Sequence, residues 1–357
     1  KTEPAMETVR TGIIGCGVIG KHHAASADSS DLVELAALAD VREEAVQPLA
    51  DKYNVTTTYS TAEDLIDDES IEAIVYAMPA HLRTALAIKA FETGKHVLTE
   101  KPVAMNAAEV QQMIGAQGDL VAACCSSRFR FLPSAQAATE FIASGELGTI
   151  RTVHCRNFAP ARGKPDSMPP EWRLKKSLNG GGILMNWGCY EIDYLLGLTG
   201  WGLKPQTVFA QTWQIPERFR PHVPPGSDAE THYTALVRCE GGTMISMERG
   251  EYMSVHGRSL WQIIGENGSL ELQMRGGDAS LVFCRADDAS GFVEELVWEG
   301  AADMSAIHTG PLHDLAAAIR GNREPKTSLK NALVVQQISD AIYASAERGT
   351  TVEIGEG

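Results

Sequence analysis

The residues with the clearest chemical potential form a glycine-rich turn near the start of the chain. Gly15, Gly17 and Gly20 are spaced G-x-G-x-x-G, directly after a short apolar run that ends at Ile14. Between a strand and a helix, the first glycine permits the tight turn, the second lets the backbone approach a pyrophosphate, and the third allows close packing. The helix N-terminus adds free N–H groups and a partial positive charge. The turn therefore predicts a dinucleotide site.

An acidic residue at the end of the next predicted strand strengthens this interpretation. The strand over residues 32–39 ends at Asp40, twenty residues after Gly20. A carboxylate there accepts hydrogen bonds from the ribose hydroxyls of the adenosine and repels a 2′-phosphate. We therefore expect NAD rather than NADP, although Arg42 would weaken that preference. The alternative is a structural α/β turn without a nucleotide.

Alternating strands and helices position this turn. Strand and helix alternate up to residue 126, which predicts a Rossmann domain, a doubly wound parallel sheet, over residues 1–126. The strand over 73–78 ends at Pro79-Ala80-His81, and the strand over 95–99 ends at Glu100-Lys101-Pro102. Carboxyl ends of parallel strands carry ligand-binding loops, so both loops are candidates for cofactor contacts.

The pattern changes in the second half, residues 127–357. A helix is predicted over 183–198 after Gly180-Gly181-Gly182, followed by antiparallel strands over 207–298 with hairpin turns at Gly241-Gly242 and Asn267-Gly268. Two late helices follow, over 312–320 and 329–347, and one face of the second carries the stripe Ala332, Val335, Ile338, Ile342 and Ser345. This predicts an α+β domain on a large, mostly antiparallel sheet. Such a sheet leaves one apolar face, so we expect a homodimer or homotetramer; cover by the chain's own loops is the alternative.

Composition excludes several classes. The 357 residues carry a formal net charge of -15, which argues against nucleic acid or an anionic membrane surface as a partner. The sequence has no run of 18 apolar residues and no apolar segment in its opening KTEPAMET, so neither a membrane span nor a signal peptide is expected. Seven cysteines without a C-x-x-C pair predict a reduced, cytoplasmic protein, with adjacent Cys124 and Cys125 on opposite strand faces. No metal is expected, because no His, Cys and carboxylate set has ligand spacing.

Five stretches in order resemble the Gfo/Idh/MocA family of glucose-fructose oxidoreductase, inositol dehydrogenase and rhizopine-catabolism proteins. They are the glycine turn, MPAHLRTALAIKAFETGKHVLTEKPVA, SGELGTIRTV, GGGILMNWGCYEIDYLLGLTG and AIYASAERGTTVEI. The resemblance implies an NAD-binding domain followed by an open-faced α/β domain that binds sugar or cyclitol and builds the oligomer. It also implies that Lys101, in the E-K-P motif, exchanges a proton with the reacting hydroxyl. A partly desolvated ammonium near a cationic nicotinamide has a lowered pKa and suits that role.

The sequence departs from the family at two positions. The family places an Asp and a His four residues apart on the helix after the triple glycine, where this chain has Asn186 and Tyr190. Residues at this spacing share a helix face. An amide orients a hydroxyl, and a phenol whose pKa is lowered by Lys101 would relay the proton. The carboxylate left nearby, Asp193, is expected to be structural rather than substrate-binding.

Other candidate site residues follow from the same resemblance or, for His154, His308 and His313, from their positions in a predicted strand and before a predicted helix. Arg128 and Arg130 fall where the family lines the sugar site, with a surface salt bridge as the alternative, and Trp172-Arg173 offers an aromatic platform for a sugar. His154 would project into the cleft, and His308 and His313 would cap a helix or bind ligand. The predicted cofactor-binding residues are Gly15, Cys16, Gly17, Val18, Ile19, Gly20, Asp40, Val41, Arg42, Met78, Pro79, His81, Glu100 and Lys101. The predicted substrate-binding residues are Lys101, Arg128, Trp172, Arg173, Asn186 and Tyr190, with loops 160–172 and 216–228 selecting the substrate.

The resulting hypothesis is an NAD-dependent oxidoreductase acting on a secondary hydroxyl or keto group of a sugar, glycoside or cyclitol. In it, Lys101 and Tyr190 move the proton while Asn186 positions the substrate. One alternative is a glycoside hydrolase that oxidises a sugar carbon transiently, eliminates the glycosidic bond and recycles its NAD. Another is a non-catalytic nucleotide- or sugar-binding protein, suggested by the loss of the family's Asp and His.

Overall fold

The computed structural model describes residues 7–161, 163–257, 259–275, 278–301 and 303–355. The opening residues 1–6 and Arg162 in the 160–172 loop lie outside the described residues. The chain divides into two compact units. The first unit runs to Arg128 and includes Ser305–Leu333; the second unit is Phe129–Met304 together with Val334–Gly357.

The first unit contains the predicted doubly wound sheet. Its six strands are all parallel, in the order β3-β2-β1-β4-β5-β6, so the strand order reverses between β1 and β4. The elements are β1 (Val9–Ile14), α1 (Val18–Asp28), β2 (Val33–Ala39), α2 (Glu43–Tyr53), β3 (Thr57–Tyr59), α3 (Ala62–Ile66), β4 (Ala73–Tyr76), α4 (Arg83–Glu92), β5 (His96–Thr99), α5 (Ala107–Gln117) and β6 (Ala122–Cys124). The three-residue edge strand β3 was not predicted.

Successive residues of these strands pack on opposite faces of the sheet. Ile14, Ile74 and Val97 belong to one buried cluster, while their chain neighbours belong to the other. The same alternation separates Cys124 from Cys125, as predicted. Because helices cover both faces, the strands are apolar on both sides, which is why they read as short continuous apolar runs.

The second unit is built on nine strands in the order β14-β13-β12-β11-β7-β10-β9-β8-β15. Pairing is antiparallel except between β7 and β10, which are parallel. The remaining elements in chain order are α6 (Pro133–Ala143), β7 (Ile150–Pro160), α7 (Lys176–Asn179), α8 (Cys189–Leu198), β8 (Pro205–Gln214), β9 (Glu230–Cys239), β10 (Met244–Met253), β11 (Leu260–Gly265), β12 (Gly268–Glu271), β13 (Asp278–Arg285), β14 (Val293–Ala301), α9 (Thr309–Gly321), α10 (Leu329–Arg348) and β15 (Val352–Glu353). The predicted hairpins at Gly241-Gly242 and Asn267-Gly268 join β9 to β10 and β11 to β12.

The sequence predicted that the first domain ends at residue 126. In the structure, the segment Ser305–Leu333 also belongs to the first unit. Leu312 and Leu315 of α9 pack in the cluster that contains Ile13 of β1. The Cys124 amide also donates to the Thr327 carbonyl at 3.0 Å. The chain therefore returns to the first unit after leaving it, because the apolar side of α9 covers one face of the parallel sheet.

Two further expectations concern surfaces. The stripe of Ala332, Val335, Ile338, Ile342 and Ser345 on α10 is buried, as predicted. The large sheet exposes apolar side chains, including Phe209 of β8 and Leu236 of β9, which are paired across the two strands. Among the residues that the structure describes, no helix is both long and apolar enough to cross a bilayer.

Candidate active site

The three glycines of the turn differ in the space that a side chain would find at each position. A Cβ on Gly20 would lie 1.9 Å from the Gly15 carbonyl oxygen, and one on Gly15, whose φ is +100°, would lie 2.7 Å from the Ala77 carbonyl oxygen. These two glycines are therefore required by the fold. A Cβ on Gly17 would meet no heavy atom within 4 Å. Protein packing leaves this space open, and it is where a dinucleotide turn places the pyrophosphate.

The start of α1 is equally suited to phosphate. Gly17 occupies the N-cap position with extended backbone, and no side chain caps the helix there. The first N–H groups of α1 are thus available to an anion at the positive end of the helix dipole. Val18 in this first turn is 81% exposed. The neighbouring Cys16 is buried, which raises the pKa of its thiol to about 12, so Cys16 is a packing residue rather than a nucleophile.

Asp40 connects the glycine turn to the end of β2. Its carboxylate accepts hydrogen bonds from the Cys16 amide at 2.8 Å and from the Arg42 amide at 3.0 Å. Burial acts to raise the pKa of Asp40, but these bonds outweigh it and hold the pKa below its usual value. A carboxylate has about four acceptor positions, so acceptor capacity remains for a ribose. Val41 beside it is 85% exposed, an apolar surface where an adenosine would lie.

The turn, the helix start and Asp40 together fit a bound dinucleotide. Three features would suit the phosphates and the adenosine ribose: the open space at Gly17, the start of α1 without a side-chain cap, and the Asp40 carboxylate, whose pKa is lowered. Arg42 is the feature that complicates cofactor choice. Its exposed guanidinium lies 3.3 Å from the Asp40 carboxylate, within reach of a 2′-substituent.

Arg83 joins the loops after β4 and β5. Its guanidinium donates to the Met78 carbonyl at 2.8 Å and the Glu100 carbonyl at 2.5 Å, and also to the Pro102 carbonyl. The loop that carries Lys101 is thereby tied to the loop that carries Met78. This positioning role of Arg83 emerges only from the structure.

Glu100 is the centre of a buried polar cluster. One carboxylate oxygen lies 2.5 Å from the Arg128 guanidinium and 2.9 Å from His23 Nε2, and the other accepts from the Lys101 amide at 3.2 Å. Although burial opposes ionisation, Arg128 and His23 hold the pKa of Glu100 well below its usual value. The surface salt bridge considered for Arg128 is wrong, since the pair is buried. Glu100 and Arg128 therefore anchor the loop that presents the half-buried Lys101.

The same cluster gathers potential metal ligands that the sequence did not suggest. Ligand atoms of His23, Glu100 and Cys125 all lie within 4.8 Å of one another. The Arg128 guanidinium already neutralises Glu100, and burial raises the pKa of Cys125 well above that of an ordinary thiol. This donor set fits a neutral hydrogen-bonded network better than a cation site.

In the second unit, Glu230 shapes the segment that carries the other candidate residues. Its carboxylate accepts from the Gly182 and Leu184 amides at 2.9 and 3.0 Å and from the Tyr343 hydroxyl at 2.9 Å. A Cβ on Gly182 would lie 1.9 Å from the Glu230 carbonyl oxygen, so only glycine permits this approach. Burial raises the pKa of Glu230 despite these bonds. Its role could not be read from the sequence, because Glu230 lies 48 residues from Gly182.

The helix predicted over 183–198 is helical throughout, but its first part is not a regular α-helix. Leu184–Gly188 forms a π-helical turn, and the α-helix begins at Cys189. Asn186 lies in the π-turn and donates from Nδ2 to the Arg173 carbonyl at 3.2 Å. Tyr190 follows in the first turn of α8. π-Turns within helices occur frequently at functional sites, which agrees with the predicted importance of Asn186.

Aromatic and cationic groups surround Tyr190. Its ring packs edge-on against Phe129, with centroids 5.1 Å apart, and against Trp187 at 5.7 Å. The guanidinium carbons of Arg249 and Arg275 lie 4.6 and 4.5 Å from a Trp187 ring centroid. The ring contacts fix the orientation of the phenol, and the two guanidinium groups lie on the neighbouring Trp187 ring.

Two buried ion pairs hold α8 in place. Glu191 pairs with Arg249 and accepts from the Tyr233 hydroxyl at 3.0 Å. Asp193 pairs with Arg130 at 2.8 Å, and both side chains are buried. The structural interpretation of Asp193 therefore agrees with its contacts, and Arg130 is engaged by the same pair.

The loop before the triple glycine is held from β10. Trp172 and Arg173 lie in a 3-10 turn, Glu171–Leu174, with Trp172 partly exposed. The Arg173 guanidinium pairs with Glu251, a residue that sequence reasoning did not single out. Arg173, a predicted substrate-binding residue, thus contacts Asn186 through its carbonyl and Glu251 of β10 through its side chain.

The histidines singled out in the sequence, His154, His308 and His313, lie in different environments. His154 is half-buried on β7. His308 stacks on His22 with ring centroids 4.4 Å apart, and burial together with the charge of Arg128 lowers its pKa to about 3. His308 directly precedes α9 but makes no side-chain capping bond. Burial also lowers the pKa of His313.

Comparison with known proteins agrees with this geometry. Residues 9–119 match the model of an oxidoreductase family with an NAD-binding Rossmann fold, and residues 135–271 match the GFO/IDH/MocA C-terminal domain. The chain is 26% identical to levoglucosan dehydrogenase of Pseudarthrobacter phenanthrenivorans, over 98% of this chain and 99% of that enzyme. It is 25% identical to D-xylose 1-dehydrogenase (NADP(+)) 2 of Haloferax volcanii, over 96% and 99%. A structure of levoglucosan dehydrogenase in complex with NADH and L-sorbose superposes with a TM-score of 0.84 at 23% identity, covering 99% of this chain and 100% of that one.

Proposed function

Because the chain belongs to the GFO/IDH/MocA oxidoreductase family, we propose that it is an NAD-dependent dehydrogenase acting on a secondary hydroxyl or keto group of a sugar, glycoside or cyclitol. The observation that carries this proposal is the open space at Gly17. Protein packing does not require a glycine at this position, whereas a bound pyrophosphate would. The family match supports oxidoreductase chemistry on CH–OH groups. The sugar named for each relative supports the substrate class.

The chain's own residues handle the hydroxyl proton. Lys101 hydrogen-bonds the reacting hydroxyl, Tyr190 relays its proton, and Asn186 orients the substrate. Bound NAD would supply the hydride acceptor. The anchored loop supports the role of Lys101, because Arg83 and the Glu100 cluster limit its movement. The aromatic packing of Tyr190 supports its role in the same way, since a proton relay needs a fixed phenol.

NAD is proposed over NADP because of Asp40. The ionised carboxylate would bind the ribose hydroxyls and repel a 2′-phosphate. The Haloferax volcanii relative is named for NADP, so the family accommodates both cofactors. Here Arg42 weakens the repulsion, and both cofactors belong in the assays.

The proposal is tested by an absorbance screen for NADH formation with purified protein, NAD and a panel of sugars, glycosides and inositols. Lys101→Met should abolish turnover of the best substrate, and Tyr190→Phe should lower it while keeping the ring contacts. Lys330→Met, which removes an exposed lysine at the start of α10, is the matched control. Full activity in Lys101→Met would refute the assigned role.

Aglycone release measured in the same wells separates the alternatives. Cleavage of an aryl glycoside without added NAD and without net NADH would identify a glycoside hydrolase with recycled cofactor. No turnover in either assay, with NADH binding retained, would identify a non-catalytic binding protein.

A homo-oligomer formed through the large sheet is proposed on the exposed apolar side chains of β8 and β9. Phe209 and Leu236 are both about half exposed, which is unfavourable in water for a paired apolar surface. Light scattering should show a dimer or tetramer, and Leu236→Glu should shift it to monomer. A monomeric wild-type protein would refute the proposal.

A further inference from the structure

An open cavity of about 440 Å³ lies in the second unit at the ends of β7 and β10, and Arg218, Ser254, Val255 and His256 of its lining are exposed to solvent. Its volume falls in the range of small-molecule sites. The lining combines polar and apolar side chains: Arg218, Ser254, His256, Phe219, Met253 and Val255.

A β-bulge forms one wall of this cavity. Gly250 of β10 pairs with Phe158 of β7, and Met253 pairs with Pro160. Two residues of β10 therefore lie opposite one residue of β7 between these pairs. Tyr252 in the bulge has a φ of +57°, a conformation that a bulky residue adopts only when its surroundings impose it. Bulges redirect side chains and are frequent beside active sites. This bulge directs Met253 and the residues after it into the cavity wall.

The bulge also reaches the candidate active site. Glu251, beside Tyr252, pairs with the Arg173 guanidinium, and the Arg173 carbonyl accepts the hydrogen bond from Asn186. Glu251, two residues before the cavity-lining Met253, is therefore linked through Arg173 to the residue proposed to orient the substrate. All of these residues lie in the second unit, so the connection is internal to one compact body.

We propose that this cavity binds a second sugar ring, so that the substrate is a disaccharide or larger glycoside rather than a free monosaccharide. This inference rests on the proposed dehydrogenase function and names its substrate class. The lining suits a pyranose, which presents hydroxyl groups at its edge and C–H groups on its faces. Ser254 and His256 offer hydrogen-bond donors and acceptors, Arg218 offers donors, and Met253 and Val255 supply apolar surface.

Arg218 is already oriented for this task. Its guanidinium carbon lies 4.8 Å from the Phe219 ring centroid, so the aromatic ring supports the cation at the cavity edge. Phe219 is itself held in a small apolar cluster with Leu174, Ile215 and Val223. The exposed side chains Arg218 and Val255 can be changed without disturbing that cluster.

The experiment compares matched substrates. D-glucose, D-galactose, their methyl and 4-nitrophenyl glycosides, cellobiose, maltose and lactose are assayed for NADH formation with wild type, Arg218→Ala and Val255→Trp. Arg348→Ala, at the exposed end of α10, controls for loss of an arginine. Levoglucosan and myo-inositol are included to test the dehydrogenase function independently.

We expect a disaccharide to be the preferred substrate. Its kcat/KM should fall about tenfold in Arg218→Ala, the loss expected from one charged hydrogen bond, mainly through KM. In Val255→Trp, which fills the cavity, the same loss is expected, while the matching monosaccharide keeps its wild-type kcat/KM. Arg348→Ala should leave all substrates unchanged.

Other outcomes overturn the inference. If monosaccharides or cyclitols are preferred, or if both variants affect mono- and disaccharides equally, the cavity is not a second sugar site although the dehydrogenase function stands. If only the 4-nitrophenyl glycosides gain from the cavity, its occupant is an aromatic aglycone and the sugar-ring assignment is wrong. If no compound is oxidised, the proposed function fails first, and the inference fails with it.

Discussion

Replacing Gly17 with alanine should weaken cofactor binding without destabilising the protein. Gly17 has a φ of -74°, which any L-residue adopts, and a Cβ there meets no protein atom within 4 Å. A Gly→Ala change at such a site stabilises a fold by about 0.4–1 kcal/mol, because it restricts the unfolded chain. The melting temperature of Gly17→Ala should therefore equal or slightly exceed that of wild type.

The cofactor should respond in the opposite direction. The added methyl group enters the space that a pyrophosphate would need, and it moves the phosphate away from the backbone amides of α1. Loss of one hydrogen bond to a charged group costs roughly 1.5–3 kcal/mol. The Kd for NADH should therefore rise by about tenfold or more.

Two other glycines provide the controls. Gly20→Ala should be destabilised by about 1–3 kcal/mol, as overpacked variants usually are, because its Cβ would lie 1.9 Å from a backbone oxygen. Gly115→Ala, in α5 with open space around its Cβ, should match Gly17→Ala in stability and bind NADH like wild type. Thermal unfolding and fluorescence titration with NADH measure both quantities. An unchanged NADH affinity in Gly17→Ala would refute the placement of the pyrophosphate.

Three further predictions concern the cofactor, the core and pH. Asp40→Ala should lower the ratio of kcat/KM for NAD to that for NADP by about tenfold or more, since charged hydrogen bonds to the ribose are lost; an unchanged ratio would show that Asp40 does not read the ribose. Arg249→Met, which leaves buried Glu191 unpaired, should lower the free energy of unfolding in urea by about 3–5 kcal/mol. The control Arg285→Met removes an exposed ion pair and should lower the free energy of unfolding by less than about 1 kcal/mol. Equal losses in Arg249→Met and Arg285→Met would contradict the buried-pair argument. His308 has a folded pKa of about 3 against 6.5 for the ordinary side chain, so the unfolded state gains the proton first as pH falls. Stability should thus decrease below pH 6.5, by no more than about 1.4 kcal/mol per pH unit, and His308→Gln should reduce that slope in urea titrations at pH 7.5 and 5.0.

Local patterns in the sequence were sufficient for the architecture. The glycine spacing and the apolar run before it predicted the turn between β1 and α1, since both depend on neighbouring residues. The predicted alternation placed Cys124 and Cys125 on opposite faces, and they do pack in different clusters, although Cys125 begins the 3-10 turn after β6. Helical periodicity identified the buried side of α10. The return of Ser305–Leu333 to the first unit was not visible, because an amphipathic helix does not reveal which surface it will cover.

In the candidate site, too, some features were predicted from the sequence and others are seen only in the structure. Motif resemblance identified Lys101, Asn186 and Tyr190 as the residues to examine, and they remain predictions for experiment. It also placed Arg128 at the sugar site, with a surface salt bridge as the alternative; the structure pairs this residue with Glu100 in the interior, and a sugar contact of Arg128 stays a prediction. A motif records residue types, while the partner of a charged side chain depends on where the chain folds back.

The glycine turn, the two sheet types and the family could be predicted from sequence, because each depends on short-range spacing and periodicity. Tertiary structure alone decided which charges are buried and which residues hold the site in place. Glu100 with Arg128, Glu230 with the π-turn and Glu251 with Arg173 all join positions distant in sequence. Such pairs form because a buried charge must find a counter-charge or hydrogen bonds, and only the folded chain determines which partner is within reach.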